Sequence, residues 1–65
     1  MSIERTERES LILVRLAREG TLSVAALSRQ LGVSEVTIRT DLRTLEERGL
    51  LARTHGGAEA TGYRN

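Results

Sequence analysis

The chain has 65 residues, of which 29% are charged, and a formal net charge of +1, so it is one small domain with a thin core. It contains no cysteine and one histidine, which excludes a disulfide framework, a thiolate metal site and a multi-histidine site. Aromatic residues make up 2% of the chain, too few for the stacking platforms of modules that bind RNA or single strands.

The first predicted helix runs from about Arg5 to Glu19 and ends at Gly20. Its core stripe contains Ile12, Leu13 and Leu16. The apolar run from Leu11 to Val14 is longer than one stripe needs. Either the helix is covered on two sides or part of its face is a contact patch, and isolated exposed apolar residues are common.

The next segment, Thr21 to Ser23, is short enough to pair as a small strand with its leucine turned inward. Ser23 is also a suitable N-cap for a second predicted helix, Val24 to Leu31. Gly32 follows that helix and suits a chain reversal, because glycine adopts positive φ without a Cβ penalty. A tight turn of this kind between two helices predicts a helix-turn-helix.

The third predicted helix starts after Ser34, an N-cap candidate, and ends at Gly49. Ile38, Leu42 and Leu45 repeat with helical spacing and form its buried stripe. Asp41 lies close to that stripe. Since a buried carboxylate without a partner is costly, we expect it to pair with an arginine or a backbone N–H.

The opposite side of the third helix presents valine, threonine and arginine side chains, which suit the major groove of DNA. Val36, Thr40 and Arg43 point away from the core, with Thr37 and Arg39 on the flanks. The alternative is a solvated face, in which Glu35, Arg39, Arg43 and Glu47 form exposed ion pairs. Arg39 and Arg43 are like charges one turn apart, which favours an anion outside.

After Gly49 the pattern changes from helix to strand. The segment Leu50 to His55 fits a short extended strand, Gly56 and Gly57 indicate a turn, and Ala58 to Ala60 is the returning strand. A hairpin in this position is a wing. The predicted fold class is therefore mostly α with a small β-hairpin, a winged helix-turn-helix of three helices plus wing.

The segments VSEVTIRTDL (Val33 to Leu42) and LEERGLLARTHGGA (Leu45 to Ala58) resemble the N-terminal DNA-binding region of DeoR-family bacterial transcription regulators. The resemblance covers roughly Arg5 to Ala58, and the two motifs in this order are more specific than either alone. This chain has Thr40 where the family usually has a second arginine, so its operator is expected to differ. The resemblance implies a DNA-binding surface that comprises Ser34, Glu35, Val36, Thr37, Arg39, Thr40, Arg43, Arg53, His55, Gly56 and Gly57.

In the implied arrangement, the recognition helix of about Glu35 to Arg48 enters the major groove of double-stranded DNA. The wing of about Arg53 to Ala58 contacts the backbone or the minor groove. Two roles are open for the His55 side chain. It is either hydrogen-bonded within the hairpin or in contact with a phosphate. Without a second histidine, a cysteine or a neighbouring carboxylate, it does not indicate an enzyme.

The expected domain organisation is a DNA-binding domain over residues 1–58 and a flexible tail or linker over residues 59–65. Family members usually carry a larger C-terminal domain that binds a phosphorylated sugar or related metabolite, so we expect an excised, mostly monomeric domain from a cytoplasmic repressor of sugar-related genes. The sequence predicts no cofactor, no metal and no membrane contact.

A competing hypothesis is a winged-helix module that docks protein partners and does not bind DNA. The low net charge and the apolar run Leu11 to Val14 motivate it. Salt dependence separates the two hypotheses, because DNA binding releases counterions and weakens steeply as salt rises.

Overall fold

A computed structural model of the protein describes residues 3–61. Within these residues the chain forms three helices and three strands in the order predicted for a winged helix-turn-helix. The elements are α1 (Arg5–Glu19), β1 (Thr21–Ser23), α2 (Val24–Leu31), α3 (Glu35–Glu47), β2 (Leu51–Thr54) and β3 (Gly57–Ala60).

The turn between α2 and α3 is closed by hydrogen bonds that the local sequence provides. Gly32 adopts a φ of 71°, and its N–H donates to the carbonyl of Ser28, which ends α2. The Ser28 hydroxyl in turn donates to the carbonyl of Val33. Ser34 then caps α3, so the predicted caps and turn of the helix-turn-helix are confirmed.

The core contains side chains from all three helices, as the apolar stripes predict. Ile38, Leu42 and Leu45 are all buried on α3, which confirms the predicted stripe of that helix. The other buried apolar residues are Ile12, Leu16, Val24, Leu27, Leu51 and Ala58. Burial of these side chains is the main favourable contribution to folding, and it holds α3 against the other helices from one side only.

The three strands form an antiparallel sheet in the order β1-β3-β2, so β3 is the central strand. The hairpin between β2 and β3 turns at His55 and Gly56, and Gly56 has a φ of 82°. The turn predicted at Gly56 and Gly57 is therefore displaced by one residue, because Gly57 pairs with Thr54 at the start of β3.

One further expectation about the chain needs correction. The domain boundary expected after Ala58 falls inside β3, since Glu59 pairs with both Thr21 and Ala52 and the strand extends to Ala60. The rest of the expected tail, residues 62–65, lies outside the described residues.

Asp41 is a buried charged residue on the core side of α3, and it is paired with an arginine as predicted. Its side chain is 2% exposed, against 12% for that of its partner Arg8 on α1. Arg8 donates to both carboxylate oxygens, from Nε at 2.5 Å and from Nη2 at 3.1 Å. The hydrogen bond to Asp41 is the main cause that raises the pKa of the Arg8 guanidinium. This two-point contact joins α3 to α1.

Within the part of the chain that the structure describes, no helix has the length and apolar character that crossing a membrane would require.

Candidate nucleic-acid interface

The first turn of α3 carries two hydroxyl groups on its solvent side. The Ser34 Oγ accepts from the backbone N–H of Thr37 at 3.1 Å and lies 3.0 Å from the Thr37 Oγ1. A helix start has free N–H groups and the positive end of the helix dipole, both of which favour an anion. These hydroxyls add hydrogen-bonding groups at the place where a phosphate would be attracted.

The outer face of α3 is open to solvent where the periodicity predicts it. Val36 is 69% exposed, on the side of α3 opposite its core stripe. Thr40 and Arg43 are also exposed, one and two turns further along this face. The face offers a small apolar group, a hydroxyl and a guanidinium, which together match the chemistry of base edges.

Two arginines near this face already bind carboxylates of the protein itself. Arg39 Nη2 donates to Glu35 Oε1 at 2.7 Å, an exposed pair one helical turn apart. Arg53 on β2 donates to Glu46 on α3, with its backbone N–H at 3.0 Å and its Nε at 2.9 Å. These two bonds, the backbone bond first, lower the pKa of Glu46. Since a guanidinium has five N–H donors, each arginine keeps donors for a ligand.

Arg43 differs from these two arginines. The solvated-face interpretation pairs it with Glu47, yet among residues 3–61 the structure contains no salt bridge to Arg43. Its guanidinium is exposed and needs no exchange of partners before it binds a base or a phosphate. Arg43 is therefore the side chain of this face that is best prepared for a direct contact.

The structure brings residues from α3 and β2 together around one open cleft of about 350 Å³. The cleft is lined by Val36, Arg39, Thr40, Arg43 and Arg53. The sequence predicted each of them for the interface, and the hairpin brings Arg53 next to the α3 side chains. Three guanidinium groups around one concavity make this cleft the candidate site for a polyanion.

The tip of the wing is held against the start of α2. The Val24 N–H donates to the carbonyl of Gly56 at 2.9 Å. His55 and Gly56 remain exposed, so both are available at the tip. Gly57 is buried, and a Cβ at that position would lie 1.9 Å from the Leu22 carbonyl oxygen. Gly57 therefore packs against β1 and does not belong to the exposed surface for which it was predicted.

Glu46 is a residue of the site that the sequence analysis missed. It anchors the wing to α3 through Arg53, seven residues away along the chain. No local pattern indicates this contact, because it depends on how the hairpin folds back after Gly49. Across residues 3–61, no cluster of three or more His, Cys, Asp or Glu side chains could hold a metal ion.

Comparison with known proteins agrees with this geometry. The family profile of the DeoR-like helix-turn-helix domain matches residues 8–62. The HTH-type transcriptional regulator GlpR of Haloferax volcanii is 50% identical over 52 residues, which is 80% of this chain and 20% of that protein. The putative galactitol utilization operon repressor of Escherichia coli K12 is 41% identical over 58 residues, 89% of this chain and 52% of that protein.

A third relative is the L-fucose operon activator of Haemophilus influenzae, 47% identical over 51 residues, which is 78% of this chain and 20% of that protein. The chain thus spans between 20% and 52% of the lengths of these three relatives. No solved structure matches the chain at a significant level. The relatives are transcription regulators and not enzymes. Because the matched domain is a DNA-binding helix-turn-helix, the protein-docking alternative is not favoured.

Proposed function

The chain belongs to the DeoR-like helix-turn-helix family of DNA-binding domains, and on this premise we propose that α3 lies in the major groove while the wing contacts the adjacent backbone. Its relatives identify it as a DNA-binding domain of a transcription regulator. The observation that carries the detailed proposal is the cleft shared by α3 and β2, because it joins three guanidiniums to exposed groups that can touch base edges.

We assign base contacts to the middle of α3. Arg43 has the geometry to donate two hydrogen bonds to guanine O6 and N7, Thr40 can bond several base edges, and Val36 can contact a thymine methyl. Arg39 is held by Glu35 in the free protein. In the complex, a DNA acceptor replaces or joins the Glu35 carboxylate, so Glu35 orients Arg39.

We assign phosphate contacts to the two ends of the surface. At one end, Ser34, Thr37 and the free amides of the helix start face one strand. At the other end, Arg53 and the exposed wing tip of His55 and Gly56 meet the backbone or the minor groove. The phosphate contacts at both ends set the position of the domain on the duplex. The base contacts from the middle of α3 select the DNA sequence.

The decisive experiment is selection of bound duplexes from a random pool at two salt concentrations. We expect a defined motif of a few base pairs and binding that weakens steeply with salt, because each neutralised phosphate releases counterions. Arg5→Ala, an exposed arginine of α1 outside the cleft, is the matched control for Arg43→Ala. A pool that yields no motif, or binding that is indifferent to salt, would contradict the proposal.

For the whole protein, we propose a cytoplasmic repressor of sugar-related genes, whose effector is a phosphorylated sugar or related metabolite bound outside these 65 residues. The names of two relatives support a role at sugar or sugar-alcohol genes, and they include both a repressor and an activator. The test uses the full-length regulator on its selected operator. A panel of sugar phosphates should contain one that changes operator affinity, while the isolated domain should not respond to any of them.

A further inference from the structure

The outer side of α1 carries a stripe that the DNA-binding surface does not use. Glu7, Leu11, Val14 and Arg18 follow one another at intervals of four, three and four residues and are all exposed. Leu11 is 44% and Val14 is 52% exposed, whereas Ile12 between them is buried in the core. This is the spacing of the a and d positions in a coiled coil, which places the four side chains on one seam.

The order of charges along this seam makes it complementary to itself. If a second copy of α1 is laid antiparallel, with a two-fold axis midway between residues 12 and 13, Glu7 lies opposite Arg18 of the copy. Leu11 lies opposite Val14 of the copy, and both relations hold in each direction. An isologous interface needs this kind of self-match, because the same surface must fit its own rotated image.

The other contacts of these four residues leave the seam free. Among the described residues, neither Glu7 nor Arg18 forms a salt bridge, whereas Arg5 and Arg15 on neighbouring faces of α1 pair with Glu9 and Glu19. The core side of α1 is fixed by Ile12 and Leu16, which point away from the seam. The seam therefore has two apolar groups in the middle and one unmatched charge of each sign at its ends.

We propose that this stripe is a self-association surface, and that its occupant is α1 of a second copy of the chain in antiparallel orientation. The two central side chains exclude water from each other, and the two Glu7–Arg18 pairs fix the direction and register. The stripe shares no residue with the cleft that α3 and β2 line. The proposal does not rest on DNA binding and is tested without DNA.

Association through so small a seam should be weak. Stable interfaces bury about 1,200–2,000 Å² in total, and one pair of short helices offers much less. The isolated chain is then mostly monomeric at low concentration and pairs only as concentration rises. In a longer protein that holds two domains together, the local concentration is higher and the same seam would fill.

The experiment is sedimentation equilibrium of the chain over a wide concentration range, with charge reversals at the ends of the seam. The average mass should rise from 7.2 kDa toward twice that value. Glu7→Arg and Arg18→Glu each place like charges opposite one another twice per dimer, and each should weaken association by about tenfold. The double variant E7R/R18E restores opposite charges and should associate as the original chain does.

Helix stability gives the design an internal control. Glu7 lies in the first turn of α1 and Arg18 in the last, so each reversal slightly weakens the helix through its dipole. The double variant has both penalties, yet should regain association, so the effect cannot be loss of fold. Glu47→Arg, the same charge change on α3, should leave association unchanged. A chain that stays monomeric throughout, or a double variant weaker than both single variants, would overturn the proposal.

Discussion

The two sides of α3 contain the same pair of chemical groups in opposite surroundings. Behind the helix, Arg8 holds Asp41 in a contact that is almost closed to water. In front, Arg39 holds Glu35 and Arg53 holds Glu46 in contacts whose side chains are between 37% and 57% exposed. All three contacts join a guanidinium to a carboxylate, so the difference in their roles comes from burial.

Burial decides whether such a pair can be exchanged. A buried pair is expensive to open, because each charge left behind has lost its water and its partner. An exposed pair is worth little on its own and can be replaced by another anion at small cost. The rear contact therefore stabilises the fold, and the front contacts hold two arginines near the positions where we propose that they bind phosphate or bases.

The largest expected effect is on stability, from Asp41→Ala. It leaves the Arg8 guanidinium without its partner and should lower the free energy of unfolding by about 3 kcal/mol, measured by urea denaturation. For so small a domain this is a large share of the total. Glu35→Ala, the matched change in front, should cost less than about 1 kcal/mol. If both variants unfold alike, burial is not what separates the two sides.

A compensated variant sharpens this test. Replacing the rear pair with apolar side chains, Arg8→Met together with Asp41→Leu, removes both charges at once. Since apolar replacements of buried pairs are often neutral, the double variant should recover most of the stability that Asp41→Ala loses. Retention of the full loss would mean that the pair itself supplies net stability.

The next largest effect is on DNA affinity, from Arg43→Ala. Loss of a two-point contact with guanine should cost about 1–3 kcal/mol on the selected sequence and relax specificity at one base pair. Fluorescence anisotropy with selected and scrambled duplexes measures both quantities. The free energy of unfolding should not change, because Arg43 has no ion-pair partner among residues 3–61. An equal loss of affinity on both duplexes would show that Arg43 contacts a phosphate and not a base.

Arg53→Ala should have a smaller and different effect. It removes a phosphate contact, so selected and scrambled duplexes should weaken alike, and the slope of log affinity against log salt should fall by about 1. The same anisotropy assay at several salt concentrations measures that slope. Arg5→Ala is again the control and should leave the slope unchanged. A loss confined to the selected duplex would show that Arg53 reads bases.

The smallest expected effect is on the pH dependence of stability, from Glu46→Gln. The bonds from Arg53 lower the folded-state pKa of Glu46 below its ordinary value of 4.5. A lowered carboxyl pKa contributes stability that is present above the ordinary value and is lost as pH falls through the folded value. The stability difference between the original chain and Glu46→Gln should therefore be constant near neutral pH and shrink in acid. The pH-dependent difference should be smaller in a chain that also carries Arg53→Ala, because that variant lacks the side-chain bond to Glu46.

The sequence predicted best those features that depend on near neighbours. The bounds of α1 and α2 and the caps at Ser23 and Ser34 follow from residues within one helical turn, and all are confirmed. The apolar stripe of α3 was equally local. These patterns also indicate which face of α3 is exposed, because a helix has only one side left after its core stripe is assigned.

Features that depend on distant contacts could not be read in the same way. The need of Asp41 for a partner was predictable, but its partner Arg8 lies 33 residues away along the chain, and no local pattern identifies it. The role of Glu46 required the path of the hairpin. Of two adjacent glycines, a pattern cannot tell that Gly56 turns and that Gly57 meets the Leu22 carbonyl.

The bond between Val24 and Gly56 has a consequence for what the domain can recognise. It holds the hairpin to the start of α2, and the bond from the Arg53 backbone N–H to Glu46 holds the same hairpin to α3. The wing and α3 therefore lie at a fixed distance from each other. Little conformational entropy is left to lose when both engage. In the proposed complex, a duplex whose groove width does not match this distance would contact either α3 or the wing but not both, so the shape of the double helix would be read together with its bases.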